Sequence, residues 1–393
     1  MAVPAVPLSL APALAEIEAR GLRRRRHTVQ RRIPESAEIE VDGQRCVDFC
    51  SNDYLGLAAH PQVVEAFIGA ARIHGVGARA SHLITGHQPE HEALEQELAA
   101  YTGRERAIVF STGYMANLGL VRALAGREAS VFGDFLNHAS LIDGGRLSGA
   151  TLHRYPHLDA AALELALAAR GSGAAVVLTD GVFSMDGDLA PLPAITAACA
   201  RQGAFLAVDD AHGLGVLGRT GRGLLEHFKL SATEVPALVG TFGKAFGTFG
   251  AFVAGGEDLI DTLVQRARTY IFTTALPPAV AAATRAALKV SIAESWRRER
   301  ALALTRRFRA LALAAGIPLA ASETPIQPIL LGAADHAVQA SNALLGRGFY
   351  AAAIRPPTVP AGASRLRITI SAAHRDVDIE ALVAALAEIQ VPR

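Results

Sequence analysis

The chain has 393 residues, of which 51% are hydrophobic and 19% charged, and its net charge is +1. Such a composition supports a large buried core, in a main domain with a smaller companion. It excludes the long-range field of a nucleic-acid or polyanion binder. The one strong charge run, Arg23-Arg24-Arg25-Arg26 followed by Arg31-Arg32, is short and has no interleaved aromatic residues, so it reads as a solvated helix face. Cys46, Cys50 and Cys199 make neither a CxxC pair nor an even framework, which suggests a reducing compartment and no structural zinc. In the opening MAVPAVPLSLAPALAEIEAR the basic block follows the apolar stretch, the wrong order for a secretory signal. No uncharged apolar run is long enough to span a bilayer, and a cytoplasmic protein is the expectation.

Residues 1 to about 45 read as an N-terminal arm: a helix from Ala13 into the arginines, then a hairpin in AEIEVDGQRCVDF turning at Asp42-Gly43. RAIVFS leads into YMANLGLVRALAG, where Met115, Leu118, Val121 and Leu124 recur at helical spacing. AAVVLTDG, FLAVDDAHG, LVGTFGKAFG and AFVAGG are continuous apolar runs, the habit of strands covered on both faces. Alternation of such runs with helices predicts an α/β fold around a mostly parallel central sheet. From ALPPAVAAATRAAL to RALALAAG the pattern is long helix. PIQPILLG, a helix near 336–347, FYAAAIRPPTVP, RLRITIS and a last helix in DIEALVAALAEIQ then make a smaller α+β unit. The expected division is an arm over 1–48, a large domain over 49–287 and a C-terminal domain over 288–393.

Three motifs are discounted. Gly213-Leu-Gly-Val-Leu-Gly218 matches GxGxxG, but Asp-Asp-Ala-His separates it from its strand and loop follows it. His87-Gln-Pro-Glu-His91 matches HxxEH, yet Pro89 reads as the first residue of a helix, which leaves His87 outside. GTFGKA is no phosphate loop, because Ala245 stands where Ser or Thr would hold magnesium.

Two residues call for one ligand. Lys244, in TFGKAFG, is the only charge among small and aromatic residues. Taken alone it is a turn lysine that snorkels to water. An apolar surround, however, lowers a lysine's pKa, and a neutral amine attacks carbonyls. Asp209 closes the strand FLAVD, where open α/β sheets bind ligands, and burying it calls for a cation. Pyridoxal 5′-phosphate satisfies both, since it needs a Schiff-base lysine and an acid on its ring nitrogen. In VFSTGYMAN, the backbone N–H groups of Gly113 and Tyr114 at a helix start offer its phosphate an anion site.

SNDYLGLA, STGYMAN, DFLNHASLIDG, TDGVFSMDGD, VDDAHGLGVLG and TFGKAFG together resemble, in order, the α-oxoamine synthases, from about residue 20 to the end. These are fold-type I pyridoxal-phosphate transferases that join an amino acid to an acyl thioester with loss of carbon dioxide. AIRPPTVPAGASRLRITISAAH and SHLITGH are similar to the biotin-pathway branch, which condenses L-alanine with a pimeloyl thioester carried by coenzyme A or an acyl-carrier protein. The alternative is a branch using glycine with an acetyl or succinyl thioester.

The resemblance implies roles residue by residue. Lys244 holds the cofactor and shuttles the Cα proton, and Asp209 pairs with the pyridine nitrogen. His212 and Ser184 hydrogen-bond the phenolic oxygen, Thr241 touches the phosphate, and His138 stacks on the ring. Asn52, Thr358, Arg367 and Arg24 serve the substrate, with Arg367 gripping the amino-acid carboxylate. On spacing alone Arg365 and Arg367 would suit an exposed edge strand equally well, and His138 a core position. A homodimer with sites at its interface is also implied, with Thr273-Thr274 reaching the neighbour's phosphate; no metal is.

Overall fold

The computed structural model describes residues 10–31 and 33–389; Arg32 and Gln390, the end of the predicted last helix, lie outside them. Seven strands form the central sheet in the spatial order Arg106–Phe110, Ala251–Gly255, Ala237–Thr241, Phe205–Asp209, Ala175–Asp180, Ser130–Asp134, Thr151–Tyr155. Ala251–Gly255 runs antiparallel to both its neighbours and every other pairing is parallel. Side chains along each strand feed two cores in turn. Val177, Leu206, Val208 and Leu238 enter one, and Val176, Leu178, Ala207 and Val239 the other. Burial on both faces is why these strands read as unbroken apolar runs rather than alternating ones. Each Val or Leu so enclosed contributes about 1.5–3 kcal/mol.

The C-terminal unit is a three-stranded antiparallel sheet, Ile326–Gly332, Ser364–Thr369 and Ala352–Ile354, with Ser364–Thr369 in the middle. Helices Trp296–Ala314, Ala334–Leu345 and Asp376–Glu388 join it, and Leu304, Phe308, Ile329, Leu366, Ile368 and Leu382 share its core. The expected long helix is two, Pro278–Ala293 and Trp296–Ala314, separated at Glu294–Ser295. Among the described residues no helix is long and apolar enough to cross a membrane.

The arm departs from expectation. Its helix is Ala11–Ala19 and stops before the arginines. Gly21, at φ +64°, turns the chain, and the N–H groups of Gly21 and Leu22 close on the carbonyls of Glu18 and Ile17. Arg23 then folds back on Glu18 at 3.0 Å. The hairpin Glu38–Val41/Gln44–Asp48 forms with Asp42 and Gly43 both at positive φ, and its second strand pairs in parallel with Phe349–Tyr350. SNDYLGLA follows and is pressed on the lysine turn: a Cβ at Gly247, φ +66°, would lie 2.3 Å from Ala58 N. Only glycine allows that approach.

Candidate active site

Asp180, Asp209 and Thr241 end adjacent parallel strands at their carboxyl ends, and Lys244 follows three residues later. This is the edge at which open α/β sheets bind ligands. Beside it opens a cavity of about 1030 Å³ whose walls include Asn52, His138, Ser184, His212, Lys244, Thr358 and Arg367. Arg24 donates to Thr358 Oγ1 at 3.2 Å from the returning arm. Gly113, Tyr114, Asp209 and Thr241 lie outside that wall. Gly113 opens the helix Gly113–Leu124, whose N-cap Thr112 accepts the N–H of Met115 at 3.1 Å. A Cβ on Gly113 would sit 2.7 Å from Thr241 Cγ2, so the helix start and the end of strand Ala237–Thr241 are in contact. Tyr114 turns outward and donates to Asp143. Thr274 meets the Ser111 hydroxyl of its own chain, at 3.5 Å, through its carbonyl.

The two acids of VDDAH divide their work. Asp209 Oδ2 accepts Asn117 Nδ2 at 2.6 Å and Oδ1 accepts the N–H of Ala211 at 3.1 Å. Asp210 Oδ2 takes the N–H of Leu224 at 2.6 Å and holds the loop behind the site; burial pushes its pKa up to about 8. Burial lowers Lys244 to about 8, although Asp209 and Asp180 pull the other way. Burial also drives His212 well below the usual imidazole value, with the lysine charge adding to the effect. His138 is lowered by burial against an opposing pull from Asp209.

The arginine strand is the central strand of its sheet and wholly buried, which excludes an exposed edge. Its two arginines differ. Arg365 is bound to Asp186 and to Met185 O. Arg367 lines the cavity, donating to Ser184 O at 2.6 Å and from both terminal nitrogens to Asn52 Oδ1 at 3.1 and 3.2 Å.

Four polar residues of the site escaped the sequence reading. Tyr54 OH lies 2.7 Å from His212 Nδ1. Asn117 donates to Ser140 Oγ at 2.9 Å as well as to Asp209. Ser140 Oγ lies 2.7 Å from His138 Nδ1, which also accepts the N–H of Ser140. With its hydroxyl already an acceptor for Asn117, Ser140 donates to Nδ1 and leaves the His138 proton on Nε2. Asp180 Oδ2 accepts the N–H of His138 at 2.6 Å. All four stand inside motifs that were singled out for other residues. The available signal was polarity within an apolar context, as for Asn117 on the apolar face of its helix.

His157 links the end of strand Ser130–Asp134 to Asp188, with Nδ1 2.9 Å from Asp134 and Nε2 2.9 Å from Asp188. Burial pulls this imidazole down, but the two carboxylates outweigh it and raise it to about 10 from 6.5. A raised folded-state pKa gives stability that is whole below pH 6.5 and is lost as pH rises through about 10. Chemical denaturation from pH 6 to 10 should show that decline, and His157→Gln should flatten it. An unchanged slope in the variant would place the pH dependence elsewhere.

The site suits pyridoxal 5′-phosphate on the molecule's own terms. Thr241 Oγ1 and Asn117 Oδ1 are buried with no hydrogen-bond partner, one beside the Gly113 helix start and the other beside Asp209. Buried polar atoms of this kind ask for a ligand. Lys244, Asp209, His138, His212 and Ser184 would hold the aldehyde and ring ends, and Gly113 with Thr241 the phosphate.

Comparison with known proteins agrees. The aminotransferase class I and II family matches residues 44–386. The 8-amino-7-oxononanoate synthase of Methylococcus capsulatus is 60% identical over 379 residues, covering 96% of this chain and 97% of that protein. That of Stutzerimonas stutzeri is 56% identical over 96% of each chain. Among solved structures, the Sphingomonas wittichii serine palmitoyltransferase superposes with a TM-score of 0.92 at 31% identity, covering 97% of both chains. The Francisella tularensis 8-amino-7-oxononanoate synthase gives 0.76 at 30%, covering 87% of this chain and 97% of that one. A serine palmitoyltransferase from S. paucimobilis with PLP bound gives 0.92 at 31% over 97% and 96%. The fold is thus that of the type I pyridoxal-phosphate transferases, pyridoxal 5′-phosphate is the cofactor, and the chain belongs to the 8-amino-7-oxononanoate synthases, a family of α-oxoamine synthase acyltransferases.

Proposed function

We propose that the protein condenses L-alanine with a pimeloyl thioester, with loss of carbon dioxide, in biotin biosynthesis. The observation that carries this reading is one cavity in which Lys244 and Arg367 share walls with an apolar stretch of Phe135, Leu136, Ile142, Met185 and Ile354. When bound, the cofactor supplies an aldehyde for the amine of Lys244 and an electron sink for the carbanion formed at Cα.

The chain's own groups do the rest. Lys244, with an ammonium form weakened by burial, takes and returns the Cα proton at Nζ. Arg367 is held between Ser184 O and Asn52 and offers a guanidinium to the alanine carboxylate, fixing the direction of the Cα–H bond. His138, its Nδ1 engaged by Ser140, presents a fixed ring face, and Asp209 supplies the negative charge for the ring nitrogen. His212, steadied by Tyr54, and Ser184, both in the cavity wall, would hydrogen-bond the phenolic oxygen. Arg24 of the arm meets Thr358 of the cavity wall, and the pair would serve the acyl substrate. The apolar walls exclude water from the acyl chain.

The domain division given above, a homodimer and a cytoplasmic location belong to the same reading. The exposed apolar side chains Val76, Ile84, Phe249 and Phe272 support a partner copy. The donor's carrier is coenzyme A or an acyl-carrier protein, and assay of both separates them. With holoenzyme, L-alanine and pimeloyl thioester should turn over at least about tenfold faster than glycine with acetyl or succinyl thioester, a margin within reach of chain-length recognition in an apolar pocket. Product mass identifies each reaction, and the reverse preference would transfer the protein to the glycine-using alternative.

A further inference from the structure

Apart from the cavity, three imidazoles gather where the short π-helical turn His82–Gly86 meets the start of helix Pro89–Thr102. Ring centroids are 5.3 Å apart for His82 and His87, 5.0 Å for His82 and His91, and 5.6 Å for His87 and His91. One nitrogen from each ring lies within 4.8 Å of the others. At metal–nitrogen bonds of about 2.0–2.1 Å, a tetrahedral ion holds its ligand nitrogens about 3.3 Å from one another. His82 Nδ1 and His87 Nδ1 are 3.0 Å apart, two lone-pair atoms that need a proton or a cation between them.

The remaining nitrogens are braced as metal-binding imidazoles usually are, by a carboxylate or a carbonyl on the far side of the ring. His87 Nε2 lies 3.3 Å from Glu92 Oε2, and His91 Nε2 donates to Leu276 O at 2.6 Å. His91 Nδ1 now accepts the N–H of Gln88 at 3.0 Å, one bond that an ion would displace. His82 and His91 are buried and His87 is part-exposed, giving the ion a way in. The discounted HxxEH pattern does not operate as a helix motif, since His87 precedes the helix; the third imidazole comes instead from His82, upstream.

We propose that His82, His87 and His91 bind one divalent transition-metal ion of the zinc class. The ion would pin the turn 82–86 to helix Pro89–Thr102 and, through His91 and Leu276, to the segment that carries Thr273 and Thr274. Imidazole donors favour zinc, copper, nickel or cobalt over magnesium or calcium.

The test uses holoenzyme dialysed against a chelator and titrated with cobalt(II) chloride. Wild type should develop the visible bands of four-coordinate cobalt, saturating at one equivalent and erased by zinc chloride. Glu92→Gln, at an exposed position, should weaken binding about ten- to a hundredfold, and His82→Ala/His87→Ala should remove it. Thermal unfolding gives a second readout: zinc should raise Tm in wild type and not in His87→Ala. No cobalt bands in wild type, or undiminished binding in the double variant, would overturn the proposal.

Discussion

Lys244→Ala should abolish turnover, by at least about 10⁴-fold, and with it the long-wavelength absorption of the bound cofactor. The fold should survive. Lys244 is partly open to the cavity, whereas its neighbours Phe242, Ala245 and Phe246 are fully packed and carry the stability of the turn. A companion measurement reads the amine in wild type. Only the neutral form attacks an aldehyde, so the rate at which apoenzyme reloads should climb with pH and level off above about 8, the value to which burial lowers Lys244. An unperturbed lysine, at 10.5, would keep that rate climbing through pH 10. A variant that kept both the absorption band and wild-type turnover would refute the role assigned to this residue.

The parts of this protein visible in its sequence are those where one force dominates. Strands buried on both faces, such as Ala175–Asp180 and Phe205–Asp209, declare themselves by unbroken apolar runs. Thr151–Tyr155 does not. It is the sheet's edge strand and largely exposed, so TLHRY carries little apolar signal and its place depends on pairing with Ser130–Asp134. The end of the arm helix departs from its local pattern for a related reason: four arginines favour a helix locally, but Gly21 turns the chain toward contacts hundreds of residues away. Arg355, for example, donates to Gly21 O at 2.6 Å. In the site, Lys244 and Asp209 stood out because a charge in an apolar run needs an explanation. Asn117, Ser140 and Tyr54 did not, because their work is to orient other side chains, and orientation leaves no periodicity. Ser364–Thr369 shows the converse. Alternating arginines look like a solvated edge until tertiary packing buries them and supplies partners.

Asp209→Asn should cost turnover on the order of 10³-fold, the equivalent of about 4 kcal/mol, because it removes the charge that the proposed function sets against the ring nitrogen. Both carboxylate oxygens already accept N–H groups, from Asn117 and Ala211. The amide nitrogen of the variant must therefore oppose one of those donors. Asp180 sits directly beside Asp209 in strand register, and its carboxyl is held well above the usual range by burial and then by its neighbour's charge. Removing the charge at 209 relieves Asp180, which then ionises more readily, but its Oδ2 is committed to the N–H of His138. The charge reappears one strand away from Asn117 and cannot replace what was lost. Spectral titration with pyridoxal 5′-phosphate, alongside kcat and the alanine KM, separates the outcomes. The expected pattern is a large fall in kcat, weaker cofactor binding and a smaller change in KM. Asp180→Asn should instead keep the cofactor's affinity within about tenfold of wild type, since the charge at 209 remains. If the two variants behaved alike, the pair would act as one shared acid, and the assignment of the ring nitrogen to Asp209 alone would fail.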